Sequence, residues 1–500
     1  MFLAAFGRCG RVFSSTVVLL YFLLPEACGA GPRYNVLFLA VDDLRPELGC
    51  YGHALVKSPN IDRLAAQGLR FNRAYCQEAL CNPSRASLLT GLRPETLGVY
   101  DLATHFRDRK PDVVTLPQLF KKNGYTSISV GKIFHTTNGN HDDSESWSEP
   151  PWKGPAGQPE EPDGREPAKL KAKKKKGAKA ASADHSGTLP YGDPDCDDDA
   201  LLDGKIATEA IARLQRLQDK PFFLGVGFHK PHLPFVSPRR YWSLYEQADL
   251  RLAANPFLPK DAPRFASNDS SELRRYKDVP ASGPIADETA RKLIHAYYAC
   301  ISYTDAQVGR VLKELDRLGL REKTVVIFWG DHGYQLGEHG TWTKRTNWEI
   351  AMRAPLLISV PGQKTAGMST EGLVEFMDIY PTLADLCRLQ APLNLEGTSF
   401  WPLIENPRSD WKTAAFSIYP KRIPGAGEGF GRAMRTARHR LVEWSSNDGA
   451  FKAYELYDEQ ADPSENVNIA NLPTNKELME QLIQQLRGGW RKAVPLLSKK

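Results

Sequence analysis

The chain has 500 residues, 41% hydrophobic and 25% charged, with a formal net charge of +6. That balance belongs to a globular protein with a sizeable core and excludes a disordered or fibrous chain. Seven lysines between Lys169 and Lys179 supply the positive excess and leave about −1 elsewhere, so the charge makes no case for a nucleic-acid partner.

At the N-terminus, Arg8 and Arg11 precede an apolar run from Val12 to Leu24, followed by small residues from Cys28 to Ala30. This is the layout of a secretory signal peptide, residues 1–30, cleaved near Ala30. The run is shorter than the roughly 20 residues that span a bilayer, so no stable membrane span is expected. Export follows: periplasmic or secreted in a bacterium, lysosomal or secretory-pathway in a eukaryote. Beyond the signal stand Cys50, Cys76, Cys81, Cys196, Cys300 and Cys387, with no C-x-x-C pair. Neither a thiolate zinc site nor a disulfide framework is expected.

Five short apolar runs read as buried parallel strands: "YNVLFLAVDD" from Tyr34, "YTSISVGKIFH" from Tyr125, "PFFLGVGFHKPH" from Pro221, "KTVVIFWGDHG" from Lys323 and "APLLISVPG" from Ala354. Helical patterns lie between them. Ser58-Pro59-Asn60 opens one, with Ile61, Leu64, Ala65 and Gly68 on one face. Pro83 fits the first turn of another that runs to Thr90 and stops at Gly91. A long helix from Asp287 closes at Gly319. Strands alternating with helices predict an α/β domain, a mainly parallel sheet flanked by helices on both faces.

Residues 144–199 are rich in Pro, Gly, Lys and Glu, and read as a disordered surface insertion or a polybasic tether for acidic polymers. After about residue 405 the texture changes to "AAFSIYP", "FGRAMRTARHRLVEW" and "AYELYDEQADPSENVN", the strands and turns of an antiparallel sheet. A terminal helix follows, with Leu478, Met479, Leu482, Ile483 and Leu486 on one face. The predicted organisation is a main domain over 31–405, with a lysine-rich insertion at about 150–195, and a smaller α+β subdomain over 406–500.

The first four strands run out into ionisable residues: Asp42-Asp43, then Lys132 and His135, then His229 to His232, then Asp331-His332. In open α/β sheets ligands bind outside the carboxyl ends of the strands. Three carboxylates gathered there repel one another, and a divalent cation resolves the repulsion. Oxygen donors favour Ca²⁺ or Mg²⁺, while His332 leaves room for a transition metal. The plainer alternative is that the acids cap helices or pair with Arg45 and Arg85. Cys81 stands at a positive helix end beside Arg85, which reads as a nucleophilic thiol in an anion site or as an inert buried thiol. His232 shapes its loop or touches substrate, His339 is structural or catalytic, and His53 and His105 are surface or rim residues. Asn268-Asp269-Ser270 is a glycosylation sequon that matters only in a eukaryotic secretory pathway.

"CNPSRASLLTG" from Cys81 matches the sulfatase signature C-x-P-S-R followed by a Leu-Thr-Gly helix end. With "VDDLRPELGCYG", "SPNIDRLA", "GKIFH", "GFHKPHLPF", "GDHGYQLGEHGTWTK" and "YELYDEQADPSENVN", the chain resembles the formylglycine-dependent sulfatases of the alkaline-phosphatase-like superfamily, in the iduronate 2-sulfatase branch. The resemblance implies hydrolysis of a sulfate ester on a carbohydrate. It implies that Asp42, Asp43, Asp331 and His332, with modified Cys81, hold one Ca²⁺, ahead of Mg²⁺ or another divalent cation. A maturation enzyme would oxidise Cys81 to formylglycine, and Arg85 would orient its hydrate. One hydroxyl of the hydrate attacks sulfur; His135 takes the proton of the other, expelling sulfate. Lys132, Lys344 and His229 bind sulfate oxygens or protonate the leaving oxygen. The branch reads a sugar carboxylate partly with a lysine where this chain aligns Glu428, with Lys421, Arg422 and Arg432 as nearby cations. The rival readings are a phosphomonoesterase or phosphodiesterase of the same superfamily, which usually offers Ser or Thr as nucleophile, and a non-catalytic glycan-binding homologue.

Overall fold

Residues Asn35–Val41 form strand β1, buried along its whole length, in the computed structural model, which describes Met1, Gly7 and residues 34–155 and 187–494. The signal segment apart from Met1 and Gly7, and the lysine run, lie outside the described residues. Side chains leave a strand on alternate faces. Val36, Phe38 and Ala40 therefore enter one apolar core, and Leu37, Leu39 and Val41 enter another. A strand covered on both faces is apolar throughout, which is why it reads as a continuous run rather than an alternation.

The sheet adds β2 (Leu69–Phe71), β3 (Thr126–Gly131), β4 (Phe222–Phe228), β5 (Thr324–Gly330), β6 (Leu356–Ser359) and β7 (Ser369–Thr370). Its order is β7-β2-β6-β5-β1-β4-β3. Strands β1, β3, β4 and β5 are mutually parallel. The fifth apolar run, expected to be parallel, is not: β6 pairs antiparallel with both β5 and β2. The segment between β5 and β6 holds only short elements such as the helix Glu349–Met352. Without a crossover helix the chain returns in the opposite direction.

Helices α1 (Pro59–Ala66), α3 (Leu202–Arg216) and α4 (Asp287–Arg317) cover one face, burying Ile61, Leu64, Ile206, Ala210, Ile301 and Val308. Helices α2 (Cys81–Thr90) and α5 (Ile379–Leu386) cover the other through Ala86, Leu88, Leu89, Leu383 and Ala384. Ser58 stands before α1, as the sequence indicates, but its hydroxyl accepts from Gly49 N and donates to Asp62. The cap comes instead from α4, where Asp305 accepts from Asn60 N at 3.0 Å and Ile61 N at 2.8 Å.

The C-terminal strands β8 (Ala414–Ile423), β9 (Gly427–Thr436), β10 (His439–Ser446) and β11 (Lys452–Asp458) form an antiparallel sheet in chain order. Helix α6 (Lys476–Gly488) lays Met479, Leu482 and Leu486 against Met434, Leu441 and Leu456. A separate apolar cluster joins Ala433, Val442, Trp444 and Tyr457 of this sheet to Trp348, which follows β5 in the chain.

One close approach positions a site residue. Gly131, at φ 77°, ends β3, and Lys132 N donates to Gly227 O at 2.9 Å. A Cβ on Gly227 would lie 2.0 Å from the Lys132 carbonyl oxygen, so only glycine lets β3 end this close to β4. Gly227→Ala is expected to cost roughly 1–3 kcal/mol of stability by overpacking. Thermal unfolding of the variant checks this; an unchanged midpoint would contradict it.

Candidate active site

Strand order explains the gathering. β1 lies between β5 and β4, with β3 next to β4, so the residues that follow these four strands converge at one sheet edge. Arg85, from α2, is fully buried beneath them. Its Nη2 donates to Asp42 at 3.0 Å, its Nε to Asp331 at 2.9 Å, and its Nη1 to the carbonyls of Lys132 and Ile133. Lys132 Nζ completes Asp42 at 2.5 Å. Lys344 Nζ reaches both oxygens of Asp43 and one of Glu272, each at 2.9 Å. Burial alone would raise Asp42, but Lys132 and then Arg85 outweigh it and hold that carboxyl well below its ordinary value. The expected pairing of acids with arginine thus exists for Arg85, whereas Arg45 pairs with Glu47 and Glu338.

Cys81 is the first residue of α2 and is 2% exposed. Its sulfur lies 3.4 Å from His332 Nε2. His332 Nδ1 is 2.9 Å from Gly333 O, which can only accept, so Nδ1 carries a proton and Nε2 is the ring nitrogen turned toward the sulfur. Of the two readings of Cys81, the buried thiol is favoured: burial first, then Asp42, push it well above its ordinary value, against the pull of Lys344 and Lys132. It is a neutral thiol in a polar cradle.

Ligand atoms of Asp42, Asp43, Cys81 and His232 all lie within 4.8 Å of one another, as do those of Cys81, Asp331 and His332. His332 Nε2 is also 3.4 Å from Asp43 Oδ1 and 3.6 Å from Asp331 Oδ1. Three buried carboxylates, an imidazole nitrogen and a sulfur converge, and such an oxygen-rich donor set fits a divalent cation. Asp43, at φ 57°, adopts a left-handed conformation uncommon for a residue with a side chain, and its N–H donates to Asp331 Oδ1 at 3.0 Å. Thr343 at φ 77° and Arg345 at φ 74° flank Lys344 in the same way.

His135 and His229 end their strands as expected, and both are buried. Each has an unpartnered, buried Nδ1. Burial and then Lys132 hold both rings well below the ordinary histidine value, hence neutral. His135 Nε2 contacts Thr137 Oγ1 at 3.0 Å. The structure adds residues that the sequence left undecided or unmarked. His232 Nε2 lies 3.1 Å from Glu272 and 3.8 Å from Asp43, inside the cluster. Glu272 comes from a loop without periodicity; no sequence signal marks it.

Three other histidines make capping and packing contacts. His105 is not a surface residue: it is buried, caps a short helix by accepting from Arg107 N, and stacks on His141 at 4.0 Å. His339 is buried against Trp348. His53 accepts from Val56 N and packs on Tyr298. The sequon residue Asn268 is half-buried, and its amide donates to Lys344 O at 2.5 Å, so a glycan there would displace a wall of the site. Glu428 is exposed and pairs in register with Arg422 across β8 and β9. All six cysteines among the described residues are free.

A family model described as "Sulfatase" matches residues 34–389, and one described as "N-sulphoglucosamine sulphohydrolase, C-terminal" matches residues 337–492. The chain is 35% identical to iduronate 2-sulfatase of Mus musculus, over 90% of this chain and 93% of that protein. It is 31% identical to a sulfatase of Formosa agariphila, over 91% of this chain and 87% of that protein. Among solved structures, a phosphonate monoester hydrolase from Silicibacter pomeroyi aligns with a TM-score of 0.73 at 21% identity, covering 92% of this chain and 96% of the other. A protein solved in complex with its substrate D-glucosamine-2-N,6-O-disulfate aligns with a TM-score of 0.72 at 23% identity, covering 92% and 98%. At those identities the structural likeness is one of fold.

Proposed function

The chain belongs to the sulfatase family and is a sulfuric ester hydrolase, and we propose that its substrate is a sulfated carbohydrate cleaved at the site around Cys81. The observation that carries this reading is the meeting of Cys81, at a helix start, with Asp42, Asp43, Asp331 and His332.

Asp42, Asp43, Asp331, His332 and the residue at position 81 would hold a Ca²⁺, which would supply positive charge against that gathering on sulfate oxygens. Oxidation of Cys81 to formylglycine by a maturation enzyme supplies an oxygen nucleophile in place of the neutral thiol. The chain's own groups do the rest. Lys132 and Lys344, both anchored on carboxylates of the site, offer ammonium donors to the sulfate oxygens. Arg85 directs its bonds to Asp42, Asp331 and the Lys132–Ile133 carbonyls, and so fixes the acids and the end of β3 at once. His135, neutral and open at Nδ1, accepts a proton. His229, likewise open at Nδ1, would bind a sulfate oxygen or protonate the leaving oxygen. Because Cys81 is nearly inaccessible in the folded chain, its oxidation precedes folding.

We also propose that the chain is exported after cleavage near Ala30 and that the subdomain boundary lies near residue 405. Among the described residues, no helix is long and apolar enough to cross a membrane.

Peptide mass spectrometry across Cys81 tests the reading, on protein made in a host with an active formylglycine-generating enzyme. Formylglycine is about 18 Da lighter than cysteine. The expected result is the lighter peptide together with sulfate release from a sulfated sugar. Sulfate release from protein carrying only the thiol would remove formylglycine from the reading. Faster hydrolysis of a phosphate or phosphonate monoester offered in parallel would favour the superfamily's phosphoester chemistry instead.

A further inference from the structure

Glu272 touches the site without following a sheet strand and without belonging to either group of convergent ligand atoms. It lies in the loop that precedes α4, and its chain neighbour Leu273 is fully buried in the core that α4 covers. This loop runs beside the segment that carries Lys344. Asn268 donates to Lys344 O, Ser270 Oγ accepts from Trp342 N at 2.9 Å, and Glu272 Oε1 accepts from Lys344 Nζ at 2.9 Å. Every second residue from Asn268 to Glu272 thus holds the Lys344 segment, two through its backbone and one through the ammonium itself.

The carboxylate joins two groups that arrive from different strands. Lys344 follows β5 and His232 follows β4, and both meet Glu272 at one oxygen: Oε1 is 2.9 Å from Lys344 Nζ and 3.1 Å from His232 Nε2. His232 Nδ1 is 2.7 Å from Leu233 O, which can only accept, so Nδ1 carries a proton and Nε2 is the nitrogen turned to the carboxylate. Glu272 Oε2 is buried without a hydrogen-bond partner, so the contacts of the carboxylate gather on the shared oxygen. Lys344 Nζ has three N–H donors and three acceptor oxygens around it, two from Asp43 and one from Glu272. A sulfate oxygen that binds Lys344 takes the place of one of these acceptors, and the carboxylate that stays decides where the ammonium points. Asp43 belongs to the proposed cation site, whereas Glu272 stands outside it. Without Glu272, Asp43 alone anchors the ammonium, and the link between Lys344 and His232 is gone.

We infer that Glu272 is a positioning residue for sulfate-ester hydrolysis: through one shared oxygen it fixes Lys344 and His232 relative to each other at the sulfate site. The inference rests on the sulfate-ester reading above and on the role given there to Lys344. Glu272 acts through these two groups and does not touch the reacting atoms. Its negative charge beside an anion site opposes substrate binding, so its contribution belongs to the transition state, where the placing of donors counts most.

Kinetics on matured protein, with formylglycine verified by mass, test it on the faster cleaved of two probes, a methyl hexoside monosulfate and a 2-sulfated methyl uronate. Glu272→Gln is expected to lower kcat about 10- to 100-fold and to leave KM unchanged or lower it. Glu272→Asp, which restores the charge one methylene short, is expected to recover part of kcat. In a Lys344→Met background the same Glu272→Gln change is expected to cost at least about fivefold less, because one of the groups it positions is already gone. Ser270→Ala removes a backbone contact of the same loop; it is expected to lower the melting midpoint and to leave kcat near that of the parent protein. The inference is overturned by a kcat of Glu272→Gln equal to the parent's, by an equal loss in both backgrounds, or by the same loss in Ser270→Ala. If Glu272→Gln does not fold, Glu272→Asp decides: a parental kcat overturns the inference, and a lowered kcat with parental KM and melting midpoint supports it. The sulfate-ester reading fails separately, if matured, unsubstituted protein releases no sulfate from either probe.

Discussion

Cys81→Ala is expected to abolish sulfate release, with a loss on the order of 10³ to 10⁶-fold. The size follows from the surroundings. Ser84, three residues on, already donates its hydroxyl to Asp331 O at 2.5 Å, and Thr137 Oγ1 is engaged with His135. Lys132 and Lys344 are bound to carboxylates and supply charge, not a nucleophile. The fold should survive, because alanine keeps the helix start and removes a single sulfur. Sulfate release is measured by ion chromatography against a melting curve for the same preparation. Activity near that of the parent protein, with the substitution verified by mass, would place the nucleophile elsewhere.

The second large effect lies away from the chemistry. Arg440 is 1% exposed and binds Glu349, with its Nε 2.9 Å from Glu465 and 3.4 Å from Glu459. Arg435 adds a contact to Glu349 at 3.2 Å. Burial would raise Glu349, but Arg440, Arg435 and Arg353 hold it down to about 2. Arg440→Leu strands these carboxylates, and removing one partner of a buried ion pair costs about 3–5 kcal/mol. The deficit should grow with pH. Burial and the Glu349 charge push Glu459 from 4.5 up to about 7, so the folded chain holds a proton that the unfolded chain releases. That contribution is complete below 4.5 and disappears as pH rises through about 7. Without Arg440, more carboxylates in the cluster must stay protonated, which is easiest in acid. Urea melts at about pH 5 and about pH 8 should therefore show the larger loss at pH 8; an equal loss at both would contradict the assignment.

The parts of the fold that show in the sequence are those with a local cause. β1, β3, β4 and β5 are apolar runs that stop abruptly at Asp42, Lys132, His229 and Asp331, so both the strands and the edge they share are legible. Helix α2 is marked by Pro83 and by Gly91, which sits at φ 68°. The direction of β6 is not legible, because an apolar run carries no polarity and only the missing crossover helix decides it. β2 and β7 have three and two residues, too few for any period. At the site, the acids and Cys81 are legible through motif and position. Glu272 is not, because its significance comes from contacts with His232 and Lys344 that no spacing records. The Arg440 cluster is hidden for the same reason: Glu349 and Arg440 are 91 positions apart.

The antiparallel return of β6 has a consequence for recognition. Trp329 and Leu356 are paired neighbours, so the segment carrying Asp331, His332, Lys344 and Arg345 leaves and re-enters the sheet at the same place. Its ends are held by a strand ladder, and its middle is tied by Asn347 to Gly431 O and by Trp348 to Glu455. The loss of freedom in closing that loop is incurred once, as the chain folds. A substrate that arrives later meets donors whose positions no longer have to be selected from an ensemble, and its binding energy goes to discrimination rather than to ordering the protein.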